Sequence, residues 1–428
     1  MRIAVVGSGV AGLTAAYRLN RDHDVIVFEA SDYAGGHTAT VDVECWGRQW
    51  AIDTGFIVFN DWTYPRFIAL LDELGVESQV SDMSFSVQCQ RTGFEYNGTS
   101  FNALFAQRSN LLRPSFLRML AEIVKFNRAA EAFLQRPASA LSLTLDEFLS
   151  EGGYSSDFRD RYIVPMGRSV WSATESSLLG FPLRFFIEFF KRHGFLSIDN
   201  RPVWRAVRGG SRSYVDQLLT HLRHPVSLRT PITSIRRDAD RIWLRTQRGD
   251  IEGFDYVVLA CHSDQALALL DSPSAAERSV LSAFPYQRNE VVLHLDQRLL
   301  PRRKLARAAW NYHILAQPQE EVAVTYDMNV LQSLQSHERF LVTLNHSAAI
   351  DENKILRTFE YHHPVYTPQA VHAQSRLAEV SGVQRTFYCG AYWGSGFHED
   401  GVVSGEKAAT DLQSLVERSD ASASRLPA

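Results

Sequence analysis

At 428 residues the chain is long enough for two domains, and 45% apolar with 21% charged residues is the make-up of an ordinary globular protein. A formal net charge of -4 argues against general nucleic-acid binding, which needs a basic face. The basic residues are lopsided: five lysines (Lys125, Lys191, Lys304, Lys354, Lys407) in a total of 44 leave few candidates for a lysine-dependent mechanism.

The chain opens on Arg2-Ile3-Ala4-Val5-Val6, a run rich in branched residues, which passes through Gly7-Ser8-Gly9-Val10-Ala11-Gly12 into the helix-forming Leu13 to Leu19. Strand, glycine turn and helix in this order make a dinucleotide-binding unit. Gly7 permits the tight turn, Gly9 lets backbone approach a pyrophosphate, and Gly12 lets helix and strand pack closely. The helix start then offers free N–H groups and a positive dipole end to phosphate. A second strand, Asp24 to Phe28, closes with Glu29, 17 residues beyond Gly12, where a carboxylate can accept hydrogen bonds from an adenosine ribose.

Glu29-Ala30-Ser31-Asp32-Tyr33-Ala34-Gly35-Gly36, followed by His37-Thr38, resembles the extended fingerprint of the flavin-containing amine oxidase superfamily, which includes monoamine and polyamine oxidases, protoporphyrinogen oxidase and carotenoid desaturases. The resemblance implies FAD rather than NAD, with the paired glycines beside the pyrophosphate. His37 stands where relatives usually carry arginine, which makes that phosphate contact weaker or pH-dependent.

Asp53 to Phe59 reads as a strand with a tight spot at Gly55. In the superfamily this segment, Gly55 and Phe56 included, passes over the flavin face. Tyr64 to Leu74 reads as an amphipathic helix stopped by Gly75, and Phe85 to Tyr96 as strands joined near Thr92-Gly93. Residues 101 to 195 carry long helical patterns and many aromatics. In the helix of 181–192, Arg184, Glu188, Lys191 and Arg192 share one arc of roughly 100°, and phenylalanines with Ile187 fill the rest. That helix is read as core, with two sharper alternatives: lining a tunnel for a long apolar substrate, or touching a bilayer.

At Arg208-Gly209-Gly210 the chain returns to the nucleotide domain, followed by strands at Val226 to Leu228, Thr230 to Ile235, Ile242 to Thr246 and Tyr256 to Ala260. By the resemblance, the backbone at Ile232 brackets the adenine. Between 286 and 385, Val291 to Leu295, Trp310 to His313, Val322 to Tyr326 and Phe340 to Leu344 read as one sheet. His313, His346, His362 and His363 match no metal spacing and read as surface or structural groups. No metal is expected.

Thr386 to Gly390 reads as a buried strand ending in glycine, and Ser395 to Ala409 as the opening of a helix. It resembles the superfamily segment whose helix start points at the flavin N1/O2 edge, which places Gly390, Asp400, Gly401 and Val402 on the cofactor and Phe397 on the substrate side. Ala391 stands where relatives commonly carry an acid. Glu399 or Asp400 either replaces it or simply suits the helix start. For a catalytic group there are weak candidates: Phe397, His398 and Lys304, the last by analogy with the lysine that orders a water near N5 in amine oxidases. Pro301-Arg302-Arg303-Lys304 also reads as a solvated basic turn.

The expected architecture is α/β: a Rossmann-like FAD-binding domain (GR2-type) from residues 1–85, 205–285 and 386–415, a discontinuous α+β substrate domain from 86–204 and 286–385, and a disordered tail over 416–428. The resemblance assigns to FAD Gly7, Gly9, Val10, Ala11, Gly12, Glu29, Ala30, Gly35, Gly36, His37, Thr38, Gly55, Phe56, Ile232, Gly390, Asp400, Gly401 and Val402. The expected activity is an FAD-dependent oxidase or desaturase that takes a hydride equivalent from an apolar, lipid-like small molecule and passes electrons to dioxygen or another acceptor. Alternatives are an amine oxidase, a flavin-dependent isomerase and a non-catalytic FAD- or lipid-binding protein. Cys45, Cys89, Cys261 and Cys389, without CxxC spacing, read as isolated thiols. No apolar run approaches the ~18 residues of a membrane span, and a signal peptide would consume the first strand. The expected compartment is the cytoplasm, with peripheral membrane contact left open.

Overall fold

Two large sheets organise the structure, a computed structural model that describes residues 1–137, 143–197 and 199–423. The first is fully parallel, with Thr386–Tyr388, Tyr256–Leu259, Arg2–Val6 and Asp24–Phe28 side by side in that order. Continuous branched runs such as RIAVV, DVIVF and YVVL suit a sheet buried on both faces. Ile3 and Val5 point to a core shared with the first helix, Val10–Leu19, and with Leu412 of the last helix. Ala4 and Val6 point the other way, to a core with Leu270, Leu281 and the antiparallel sheet Ile232–Arg237, Ile242–Thr246 and Ile251–Phe254. On that side a buried ion pair, Arg237 with Glu277 at 2.5 Å, takes a further hydrogen bond from the Tyr388 hydroxyl at 2.7 Å.

The second sheet has seven strands in the order Ile355–Pro364, Tyr286–His294, Leu341–Leu344, Val324–Asp327, Trp310–Ile314, Phe85–Cys89, Phe94–Asn97. Trp310–Ile314 and Phe85–Cys89 run parallel, and the other neighbours are antiparallel. One face, carrying Val87, Tyr312, Val324, Val342, Leu293 and Tyr361, shares a core with the helices Pro114–Leu134, Val164–Trp171 and Leu183–Arg192. The strands expected in 286–385 are present, and two elements join them: the hairpin of 85–97 and the long edge strand Ile355–Pro364.

Three expectations need correction. Between the strand Arg48–Asp53 and the short strand Phe59–Asn60, residues 54–58 form an irregular segment, because Phe56 donates its N–H to the His37 carbonyl (2.8 Å) rather than to a ladder. Val226 to Leu228 contributes one isolated bridge, Phe28 to Ser227, in place of a strand. The final helix runs His398–Ala423, past residue 415, and its small residues seat it on the first helix. A Cβ on Gly405 would lie 2.3 Å from the Ala11 carbonyl oxygen, and one on Gly401 2.5 Å from Val10 Cγ1. Residues 424–428 of the expected tail lie outside the described residues.

Candidate functional site

The site begins where the first parallel strand ends. Gly7 takes φ +105°, which a side chain would strain, and a Cβ on Gly12 would come 2.0 Å from the Gly7 carbonyl oxygen. Gly9 differs: its φ is -66° and an added Cβ would meet nothing within 4 Å. The protein itself therefore does not require glycine there; the open space does. The first helix has no side-chain cap, so the N–H groups of its opening turn, Val10, Ala11 and Gly12, face that space without an intrahelical partner. Gly35 bridges to Gly9, and a Cβ on Gly36 would lie 3.1 Å from the Gly9 Cα.

The Glu29 carboxylate accepts from Ser8 N (2.9 Å), Ser8 Oγ (2.6 Å) and Ser31 N (2.9 Å). These bonds tie the glycine turn to the second strand and leave one side of a half-buried carboxylate for a ribose. Ala30 is exposed beside it. The segment of 227–230 runs along Glu29 and Ser31, with Arg229 N donating to Ser31 O at 2.9 Å and Thr230 N to Glu29 O at 2.8 Å, and it delivers Ile232 to this end of the cleft.

His37 and Thr38 face different ways. Thr38 Oγ1, Tyr214 Oη and His398 Nε2 form a buried triangle with sides of 2.5, 2.8 and 2.9 Å, and His398 also stacks on Phe56 at 3.5 Å. Burial pushes the His398 imidazole down to about 3. It is neutral and clamps the glycine-pair loop, the Gly55-Phe56 segment and the last helix together; a catalytic part for it has no geometric support. Gly55 is pressed on the chain at His37, where a Cβ would sit 2.1 Å from the carbonyl oxygen.

The His37 ring lies among Tyr361 (5.1 Å), His363 (5.2 Å) and His262 (6.5 Å), and its buried Nε2 has no hydrogen-bond partner. Burial first, then the neighbouring imidazoles, hold His37 well below the ordinary histidine range, and His363 is pushed down to about 4 for the same reasons. Asn345 donates to Asn289 Oδ1 (2.8 Å), so the Asn289 amide nitrogen donates to His363 Nδ1 (3.1 Å) and the imidazole proton sits on Nε2. His363, read from sequence as surface or structural, thus belongs to the cleft wall, with Tyr361 and Asn289. The available signal was strand alternation: Phe359, Tyr361 and His363 share one face of Ile355–Pro364.

At the other end, Gly390 follows the strand Thr386–Tyr388 and donates its N–H to Ser404 Oγ at 3.0 Å. Gly401 rests on Val10, as described, and Val402 is fully buried beneath, so the starts of the first and last helices converge on one cleft. Both acids at 399–400 hold backbone N–H groups. Asp400 Oδ2 accepts from Phe397 N (2.9 Å), and burial pushes it up to about 6. Glu399 accepts from Arg66 N (2.9 Å) and Phe67 N (2.8 Å), capping the helix Pro65–Glu73.

Phe397 stacks on Phe189 at 4.9 Å, Phe185 stacks on Tyr366 at 4.8 Å, and Trp171 lies 4.6 Å from Phe189. These rings form an apolar wall beside the helix start. Leu183–Arg192 buries Leu183, Phe186, Ile187, Phe189 and Phe190, so it is a core helix whose edge reaches the site, and its apolar face is not free for a bilayer. Lys304 is exposed in a turn against Phe94–Asn97 and Phe101–Leu104, outside the cleft. A polar cleft of about 870 Å³ lined by Gln88, Arg298, Arg302 and His313 shares no residue with this site. Among the described residues no group of three or more His, Cys, Asp or Glu could hold a metal, and the four cysteines are free thiols.

The residues fit an elongated ligand with a central diphosphate: open space over Gly9, an uncapped helix start, and the orphaned Nε2 of His37. Comparison with known proteins agrees. Residues 10–305 match the family of flavin containing amine oxidoreductases. A probable flavin-containing monoamine oxidase A of Dictyostelium discoideum is 24% identical over 288 residues, 64% of this chain and 60% of that relative. A 15-cis-phytoene desaturase of Synechococcus elongatus is 35% identical over 88 residues, 20% of this chain and 18% of the relative. The chain thus spans less than two thirds of either curated relative. Cyclohexylamine oxidase from Brevibacterium oxydans shares the fold, with TM-score 0.71 at 16% identity over 97% of this chain and 99% of that one.

Proposed function

The chain belongs to the flavin-containing amine oxidoreductase family, whose cofactor is FAD, and we propose that it oxidises an apolar, lipid-like substrate by removing a hydride equivalent from a carbon held against the aromatic wall. The observation that carries this reading is the wall itself: half-buried Phe397 and Phe185 lie over the buried rings of Phe189, Trp171 and Tyr366, and all five lysines lie elsewhere, four of them exposed and Lys354 half-buried 3.7 Å from Asp296.

FAD supplies the two-electron chemistry, with dioxygen or another acceptor taking the electrons. The chain's own residues bind and orient. Val10 to Gly12 and Gly36 would offer backbone to the diphosphate, Glu29 would hold the ribose, and Ile232 would bracket the adenine. The helix start at His398 to Gly401 sets a positive dipole end where negative charge develops. Rings and the His37, Tyr361 and His363 cluster exclude water, which strengthens that interaction. The substrate is aligned rather than activated, since no acid in the wall is free: Asp400 and Glu399 are both occupied by backbone N–H groups.

A second reading, oxidation of a primary or secondary amine, draws on the family match and on the monoamine oxidase relative. The same experiment separates the two. FAD-loaded protein under anaerobic conditions is mixed with a long-chain unsaturated acyl lipid, an isoprenoid and a polyamine, and the flavin absorbance is followed. Bleaching by a lipid, with a product lighter by two hydrogens, is expected. Bleaching by amines alone would refute the lipid reading. A product of unchanged mass would make the protein an isomerase, and no bleaching by any of them would make it a non-catalytic flavoprotein.

A further inference from the structure

Away from the flavin cleft, the surface built from residues 101–128 and 301–307 exposes large apolar side chains in an unusual number. Phe101 is 73% exposed and Leu112 88%, and Leu111, Leu117, Val124 and Leu305 are also exposed. They are neighbours. Phe101 packs on Phe105 at 4.8 Å and Phe105 on Phe116 at 5.6 Å, beside Leu117, while the turn carrying Leu305 lies against Phe101–Leu104.

The helix Pro114–Leu134 has two apolar faces. Phe116, Met119, Phe126, Ala130 and Phe133 enter the core, whereas Leu117, Ala121 and Val124, spaced by four and three, form a stripe toward solvent. A helix in water alone has no use for the second stripe.

The charge of the segments that build this surface is predominantly positive. Residues 99–128 and 301–307 hold nine basic side chains against the single acid Glu122, in a chain whose formal net charge is -4. Glu122 is buried and paired with Arg118 at 3.1 Å, and Arg303 is paired with the buried Glu95 at 2.9 Å. Among the described residues, no carboxylate forms an ion pair with the side chain of Arg113, Arg302 or Lys304. The polar cleft of about 870 Å³ opens beside them, sharing Arg302 and Arg303.

We propose that this surface docks the protein on an anionic phospholipid bilayer, with Phe101, Leu112 and the Leu117 stripe entering the acyl boundary and the arginines meeting the headgroups. Exposed leucines and a phenylalanine within a basic rim match the two components of interfacial binding, apolar insertion and attraction to anionic lipid. No spanning is implied: among the described residues no helix is long and apolar enough to cross a membrane. The proposal stands apart from the substrate reading and survives its failure, since it concerns a different face.

FAD-loaded full-length protein is floated with vesicles of equal phosphatidylglycerol and phosphatidylcholine, and with vesicles of phosphatidylcholine alone. Binding to the anionic vesicles is expected, weakening as salt rises. The double variant Phe101→Ser/Leu112→Ser is expected to lose about tenfold in partitioning, and Arg113→Gln/Lys304→Gln several-fold with a shallower salt dependence. Trp46→Ser, at an exposed tryptophan on another face, is expected to bind as the parent does. These side chains are exposed, except Arg113, which is half-buried, and unchanged melting curves check that the variants fold. Failure of the parent protein to float with anionic vesicles, or undiminished binding by the double serine variant, overturns the proposal. So does a parent dimer that the double variant splits into monomers without any vesicle binding, which would assign the surface to a second copy of the chain.

Discussion

Gly9 and Gly12 stand three positions apart in one motif and are expected to fail in opposite ways when each becomes alanine. At Gly9 the backbone is in a region open to alanine and an added methyl meets nothing within 4 Å. Without FAD, Gly9→Ala should therefore melt as the parent does or slightly higher, since alanine restricts the unfolded chain by about 0.4–1 kcal/mol. The same methyl stands in the space where phosphate must approach backbone N–H groups to about 2.9 Å. Losing one such charge-assisted hydrogen bond costs about 1.5–3 kcal/mol, or about 10- to 150-fold in FAD affinity. At Gly12 the methyl would sit 2.0 Å from the Gly7 carbonyl oxygen and 2.9 Å from Ala260 Cβ. Both are atoms of the sheet-helix junction that no side-chain rotation can clear. Gly12→Ala should cost about 3 kcal/mol of stability or more, with or without FAD. The assay is FAD titration by flavin fluorescence beside thermal melts of the apoprotein. A Gly9→Ala protein that binds FAD within threefold of the parent would refute the assignment of that space to the diphosphate. A Gly12→Ala protein that melts like the parent would refute the packing argument.

Glu277→Ala should destabilise the protein by about 3–5 kcal/mol, because it strands the buried Arg237 guanidinium, and adding Arg237→Met should restore part of the loss; chemical denaturation of both variants checks this. Buried His294, whose Nδ1 accepts from Asp296 N at 3.0 Å, is pushed down by burial to about 4 from 6.5. A histidine kept neutral in the fold gives stability that is full above 6.5 and is lost as pH falls from there toward 4, about 3 kcal/mol at most. Denaturation between about pH 7 and 4 should show that loss together with those of the other buried histidines, and His294→Gln should lessen it. Lys304→Met should leave anaerobic flavin reduction by substrate within twofold of the parent, because the side chain projects into solvent from a turn outside the cleft; a drop of about 100-fold in stopped-flow absorbance would restore lysine chemistry to the mechanism.

The nucleotide-binding half was legible because its signals are local. The glycine turn between RIAVV and a helix, and the acid at the end of DVIVF, each sit within a few residues of what they act on. The second sheet was harder. Its inner strands are apolar, and four of them read correctly, but Ile355–Pro364 carries Thr358, Glu360 and His362 on one face because it is an edge strand with that face toward water. Phe85–Cys89 lies parallel to Trp310–Ile314, more than two hundred residues away, and no local pattern encodes such a pairing. The irregular path of residues 54–58 was hidden for a related reason. Its hydrogen bond goes to the His37 carbonyl, and the composition of the segment alone favours a strand.

The acids at the last helix show where reading a motif residue by residue stops working. A carboxylate in a first helical turn can serve its own helix, a ligand, or another helix, and composition does not distinguish the three. Asp400 serves its own turn through Phe397 N. Glu399 serves the helix Pro65–Glu73, which opens with a proline and has no side-chain cap of its own, so its free N–H groups recruit an acid from across the interface. Both carboxylates thus hold backbone N–H groups, and Ala391 has no carboxylate to offer. Two helix starts converge on the cleft, beside imidazoles that burial keeps neutral but that an incoming anion would favour protonating. The departures from the family pattern at His37 and Ala391 therefore remove fixed charges of opposite sign. Together they leave the anion-binding end of the cleft to backbone dipoles and titratable rings, in place of a fixed arginine and a fixed acid.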